Sequence, residues 1–171
     1  DSHQYPTSRG DIGVRVQVAR WFKGRFGVKL DPEREIVITL GSKEGLADLA
    51  RAVVNRGDKV AVPDPGYPVY AGAGAALNDA DAVTLRLDPD NGFLPDLKDA
   101  EGAKLVFLNY PNNPTGAMAP VEFYEEAGKW ADDHAGQTLL AWDAAYSELA
   151  FTVYKTPSIL QYTRNVVELH S

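Results

Sequence analysis

Residues 104–116 read KLVFLNYPNNPTG. The first six, 104–109, form the most apolar strand signal in the chain, and the run stops at two adjacent asparagines, Asn112 and Asn113, set among prolines. Pro111 and Pro114 disfavour helical backbone at Tyr110 and Asn113, and Gly116 supplies a permissive turn position. A buried strand therefore delivers a stiff loop that presents side-chain amides at fixed angles.

Outward from this stretch, strand and helix signals alternate. The spacing of Val14, Val18, Trp21 and Phe22 predicts an amphipathic helix over 11–27, stopped by Gly27. The β-branched run EIVITL (35–40) reads as a buried strand. A helix follows, with Ser42 as its N-cap and Gly57 as its stop. Strands are expected at 59–63, 82–87 and 138–143, and helices after Gly66 and over 121–134. The segment NVVEL near Ser171 is also strand-like. This alternation predicts an α/β fold, a three-layer sandwich with a mostly parallel sheet between helices. Ligands of such sheets bind beyond the carboxyl ends of the strands.

The composition narrows the chemistry. The chain has 171 residues, 44% of them apolar, and a net charge of −7. That charge disfavours nucleic acid or an anionic membrane as the main partner. Cysteine is absent, which fits a cytoplasmic setting and leaves no thiolate metal site. His3, His134 and His170 show no metal-binding spacing, so no metal is expected. No apolar run approaches the ~20 residues of a membrane span.

Four strand ends carry the candidate site. Ser42 and Lys43 sit where the free N–H groups of a helix start can bind phosphate; an N-capped helix with an exposed lysine is the simpler alternative. Tyr67, fixed between Pro65 and Pro68, can stack on a planar ligand or pack on the core. Asn113 can donate to a ligand oxygen or close an Asx turn. Asp143 ends an apolar strand, where a carboxylate is costly without a positive partner, and Tyr146 lies three residues on; Asp143 as a simple cap stays open. Together these residues describe one ligand with a phosphate, a flat ring, a ring oxygen and a ring nitrogen. That inventory matches pyridoxal 5′-phosphate (PLP), whose ring Asp143 would keep protonated as an electron sink.

The strings YPTSRG, GSKEGLADLARAVVNRGDKVAVPDPGYPVY, LNYPNNPTG, WDAAYSELAF and PSILQ resemble, in order, the class I/II aminotransferases. These are the fold-type-I, PLP-dependent relatives of aspartate aminotransferase; the likeness is nearest to bacterial diaminopimelate, aspartate and alanine aminotransferase-like members. The resemblance implies the PLP-binding large domain. It implies that Ser42, Lys43 and Ser171 hold the phosphate, Tyr67 stacks on the ring, Asn113 and Tyr146 bond its phenolic oxygen, and Asp143 meets its nitrogen. Tyr5 would reach the phosphate of a neighbouring subunit's cofactor, implying a homodimer. The implied substrates are an amino acid and a 2-oxo acid.

One departure stands out. In the family the catalytic lysine follows a Ser-x-Ser segment, three residues beyond the position of Ser171, where this sequence stops. The N-terminal arm, the small domain and the arginines for phosphate and substrate carboxylate are likewise outside residues 1–171. The expectation is a chain that is part of a longer enzyme, with no catalytic lysine of its own. A PLP-dependent C–S lyase and a PLP-binding regulator share the fold and are the alternative functions.

Overall fold

The computed structural model describes residues 5, 7–149 and 154–171 and divides into two units, 1–40 and 41–171. No helix among the described residues is long and apolar enough to cross a membrane.

The first unit is built on helix α1 (Ile12–Phe26). Asp11 caps its start by accepting from the Val14 N–H at 3.1 Å, and Gly27 ends it at φ +73°, as expected. Its buried stripe is not the expected one. Arg15, Phe22 and Phe26 are buried, whereas Val14 and Trp21 are exposed. The cause is the Arg15 guanidinium, which donates to the carbonyls of Gly10 and Pro32 and lies 3.9 Å from Glu33. Those contacts turn the Arg15 side of the helix inward. The predicted strand over 35–40 is also absent. The Ile38 N–H bonds the Arg9 carbonyl, and only Ile36 of the six residues is buried. β-Branching suits a pleated surface, but it makes no strand without a ladder to join.

The second unit holds a five-stranded, all-parallel sheet: β1 (Lys59–Asp64), β2 (Asp81–Arg86), β3 (Leu105–Asn109), β4 (Leu139–Asp143) and β5 (Val166–Leu169). Their order across the sheet is β2-β1-β3-β4-β5. Every residue of β3 is buried, because it lies at the centre with both faces covered. Alternate residues feed two cores. Val60, Val62, Leu105, Phe107 and Ala141 pack under helix α2 (Ser42–Val53) through Leu46 and Ala50. Ala61, Val106, Leu108, Leu140 and Trp142 pack under helix α3 (Val121–Asp133) through Phe123, Tyr124 and Ala127. Each fully buried leucine or phenylalanine contributes about 1.5–3 kcal/mol. This is the expected sheet between two helical layers.

Local details differ from expectation. Ser42 is the first residue of α2 rather than its cap; the cap position is Gly41, at φ +82° and ψ 162°, a conformation open to glycine. The helix after Gly66 is a π-helical stretch, Tyr70–Ala75, continued by a 3-10 turn. Its small residues have a steric reason: a Cβ on Gly74 would come within 2.5 Å of the Phe107 ring. The backbone therefore lies directly against β3.

Strand order also opens the site. β1 turns one way to β2, and the chain then crosses over to β3 on its other side. The β1–β3 ladder is short, pairing Val60 with Leu105 and Ala61 with Val106, so the carboxyl halves of the two strands part. Crevices of this kind, at the switch in strand order, are where open parallel sheets take ligands.

Candidate active-site cleft

A cleft of about 470 Å³ lies beyond the carboxyl ends of β1, β3, β4 and β5, and every residue lining it belongs to the second unit. Ser42, Lys43, Tyr67, Asn113, Asp143, Tyr146 and Ser171 all line it. Tyr5, the remaining candidate, falls in the first unit, where its side chain is fully exposed.

Helix α2 brings its first turn to the rim, so the N–H groups near Ser42 and Lys43 have no intrahelical acceptor. The Lys43 ammonium stands 5.6 Å from the centre of the Tyr67 ring. The Tyr67 side chain raises the pKa of Lys43, first through hydrogen bonding and then through charge. Tyr67 follows β1 between Pro65 and Pro68 and meets Tyr70 edge to face, ring centres 5.9 Å apart.

The loop after β3 is ordered by its asparagines. The Asn113 N–H donates to the Asn109 side chain at 2.7 Å, and the Asn112 side-chain oxygen takes the Thr115 hydroxyl at 2.7 Å. The Asn113 amide is thereby aimed at Tyr146, donating to its hydroxyl at 3.0 Å. Both side chains expected to meet one ring oxygen are thus within reach of a common point.

Asp143 ends β4 in register with Asn109 of β3 and Leu169 of β5. It is only 4% exposed. Oδ2 accepts from the Tyr70 hydroxyl at 2.7 Å, and Oδ1 from the Ala145 N–H at 3.1 Å. Burial raises the pKa of its carboxyl, while Tyr70, the Ala145 N–H and the nearby His170 pull it down. The Ala145 bond shows Asp143 capping its own turn, the simpler reading, while Oδ2 is held by Tyr70. No lysine or arginine pairs with it among the described residues. A carboxylate that stays buried with hydrogen bonds but no strong cation of its own suits a positively charged ligand atom.

Two further residues belong to the site that the strand-end motifs do not single out. Tyr70 contacts Asp143 across 73 positions of sequence, and no local pattern announces that bond. Asn109 ties the site together, its amide donating to the Asp143 carbonyl at 2.8 Å while its oxygen holds the Asn113 N–H. A signal for Asn109 was available: it is the one polar residue in an otherwise apolar strand, and it is 1% exposed.

The chain resembles known proteins along its whole length. It is 49% identical to the LL-diaminopimelate aminotransferase of Desulforudis audaxviator over 99% of this chain and 45% of that protein. It is 47% identical to that of Halothermothrix orenii over 94% of this chain and 42% of the relative. It superposes on substrate-bound BacF from Bacillus subtilis with a TM-score of 0.90 and 37% identity, covering 99% of this chain and 44% of that one. The chain thus spans a little under half the length of the curated relatives it matches. With residues 1–170 matching the sequence model of the aminotransferases of class I and II, this chain belongs to that PLP-dependent family.

Proposed function

We propose that the cleft holds PLP and that the full-length protein moves an amino group between an amino acid and a 2-oxo acid. The observation that carries this reading is the buried Asp143 carboxylate on the cleft wall, beside the Asn113–Tyr146 pair and the Tyr67 ring.

The residues fit the group. The start of α2 and the Ser42, Lys43 and Ser171 side chains supply donors and charge for a phosphate dianion. Tyr67 presents an aromatic face to a flat ring, and Asn113 and Tyr146 offer donors to a phenolic oxygen. Asp143 would meet the ring nitrogen and hold the proton there. Bound PLP supplies an electron sink to the reaction. The neighbouring side chains would orient that ring, and Tyr67 and the cleft wall would shield it from water.

The names of the curated relatives put LL-diaminopimelate first among the amino acids to test. A homodimer, with Tyr5 reaching the partner's phosphate site, is part of the same proposal; the full exposure of Tyr5 is compatible with it.

The test uses the full-length protein, reconstituted with PLP and offered LL-diaminopimelate and a panel of 2-oxo acids. The expected result is amino transfer that depends on the oxo acid. Pyruvate and ammonia released from a cysteine thioether such as cystathionine, offered in parallel without an oxo acid, would replace transamination with C–S lyase chemistry. Bound PLP with no turnover of any amino acid would favour a regulator.

A further inference from the structure

Tyr70 lines the cleft beside Asp143. It opens the π-helical stretch, is 1% exposed, and donates its hydroxyl to Asp143 Oδ2 at 2.7 Å. Its ring stacks on Phe107, centres 5.1 Å apart. The π-helical backbone can lie that close because of Gly74, whose Cβ position the Phe107 ring would contest. Burial, and next the charge of Asp143, push the Tyr70 phenol well above its ordinary range, so it keeps its proton and remains a donor. The other carboxylate oxygen is held by the Ala145 N–H, and the Asp143 backbone carbonyl by Asn109. Each carboxylate oxygen thus has one fixed donor and lone-pair capacity to spare.

We propose that Tyr70 is a positioning residue: its hydroxyl fixes the orientation of the Asp143 carboxylate and stabilises its charge, so that Asp143 meets the ring nitrogen of PLP. This role rests on the reading of Asp143 given above. A hydrogen bond to an ionised group is among the stronger ones, and here both partners are buried. The competing role for Tyr70 is packing alone, as one ring in the stack with Phe107 and Tyr67.

Two substitutions separate these roles. Tyr70→Phe keeps the ring and removes the hydroxyl, whereas Phe107→Leu loosens the stack and keeps the hydroxyl. The measurement is the 13C resonance of the Asp143 carboxyl against pH in the cofactor-free, full-length protein, assigned by its loss in Asp143→Asn. Tyr70→Phe should move the titration midpoint to higher pH; Phe107→Leu should lower Tm and leave the midpoint in place. In the wild-type protein the Tyr70 Cζ resonance should inflect at the Asp143 midpoint, a check that needs no variant to fold. PLP should bind Tyr70→Phe roughly tenfold more weakly. Matching Asp143 midpoints in wild type and Tyr70→Phe, or a Tyr70 Cζ resonance with no inflection, would overturn the proposal. A shifted midpoint with unchanged PLP affinity in both Tyr70→Phe and Asp143→Asn would overturn it differently, by removing Asp143 from the ring nitrogen while leaving the Tyr70 bond intact.

Discussion

Asp143 sets a conflict between stability and site chemistry at a single residue. Burial raises its folded pKa above the ordinary carboxylate value, so the folded state holds the proton more tightly than the unfolded chain. The sign follows: stability is fullest below the unfolded carboxylate pKa, near 4, and falls as pH rises through the folded value. Near neutral pH the ionised carboxylate is a cost to the cofactor-free protein. Asp143→Asn removes that cost and keeps a partner for Tyr70, because the amide can donate to the Tyr70 oxygen. The expected outcome is a Tm a few degrees higher without cofactor, on the order of 1 kcal/mol. PLP affinity and amino transfer should be lost together, the latter by at least about a hundredfold. Calorimetry of the apo protein beside a PLP titration checks both; a lower apo Tm would mean that Asp143 is structural. Asn113→Ala tests the opposite balance. Its side chain bonds the partly exposed Tyr146 hydroxyl, so apo stability should change by less than about 0.5 kcal/mol. PLP binding should weaken roughly tenfold through loss of the ring-oxygen donor.

Helix α3 and the π-helical stretch each carry one constraint of their own. His134 caps α3, with its ring stacked on Trp130 at 4.3 Å, Nδ1 at 2.7 Å from the Trp130 carbonyl and Nε2 at 3.3 Å from Glu101. Its pKa is raised, first by the bond to that carbonyl at the negative end of the helix and then by Glu101. A raised histidine stabilises fully below its unfolded pKa, about 6.5, and its contribution fades as pH rises through the folded value. The Tm difference between wild type and His134→Asn should therefore be larger at about pH 5 than at about pH 8, and worth under about 1 kcal/mol. A difference constant with pH would mean that the stacked ring matters and the charge does not. In the π-helical stretch, Gly74→Ala drives a methyl into Phe107 and should destabilise by about 1–3 kcal/mol. Phe107→Leu in the same chain should recover part of that loss, a coupling that a double-mutant cycle measures. Elements of this kind mark the limit of what was legible in the sequence. Period and turn residues located β1 to β4, α2 and α3 to within a few residues, because those segments, the edge strand β2 apart, bury most of the apolar side chains they display. The run over 35–40 displays the same β-branching but finds no neighbouring strand to pair with, and a single segment does not reveal that. The stripe of α1 departs from its apolar spacing because Arg15, a charged residue, occupies the buried side by satisfying backbone carbonyls.

The sheet as a whole explains why seven candidates scattered from Ser42 to Ser171 meet in one cleft. Parallel strands place every carboxyl end on the same edge, and the parting of β1 from β3 opens that edge. This much was legible, because alternation alone predicts a parallel sheet and a parallel sheet predicts where ligands go. The bonds that join one element to another within the cleft were not, since Tyr70–Asp143 and Asn109–Asp143 link residues 73 and 34 positions apart. Ligand bound at such an edge touches residues after β1, β3, β4 and β5 and the start of α2 at once, so it should stabilise the unit as a unit. At a hundredfold excess over Kd the linkage is about 2.7 kcal/mol, roughly 3 °C for a protein as long as the curated relatives, of which this chain covers a little under half. In the full-length protein PLP should therefore raise Tm by that amount and slow amide exchange at Asn109, Asn113 and Ala145 together. Inorganic phosphate, which can occupy only the α2 end, should give a smaller rise and protect none of those three. Equal protection by phosphate would place the ligand's grip at the helix start alone and remove the strand ends from the binding site.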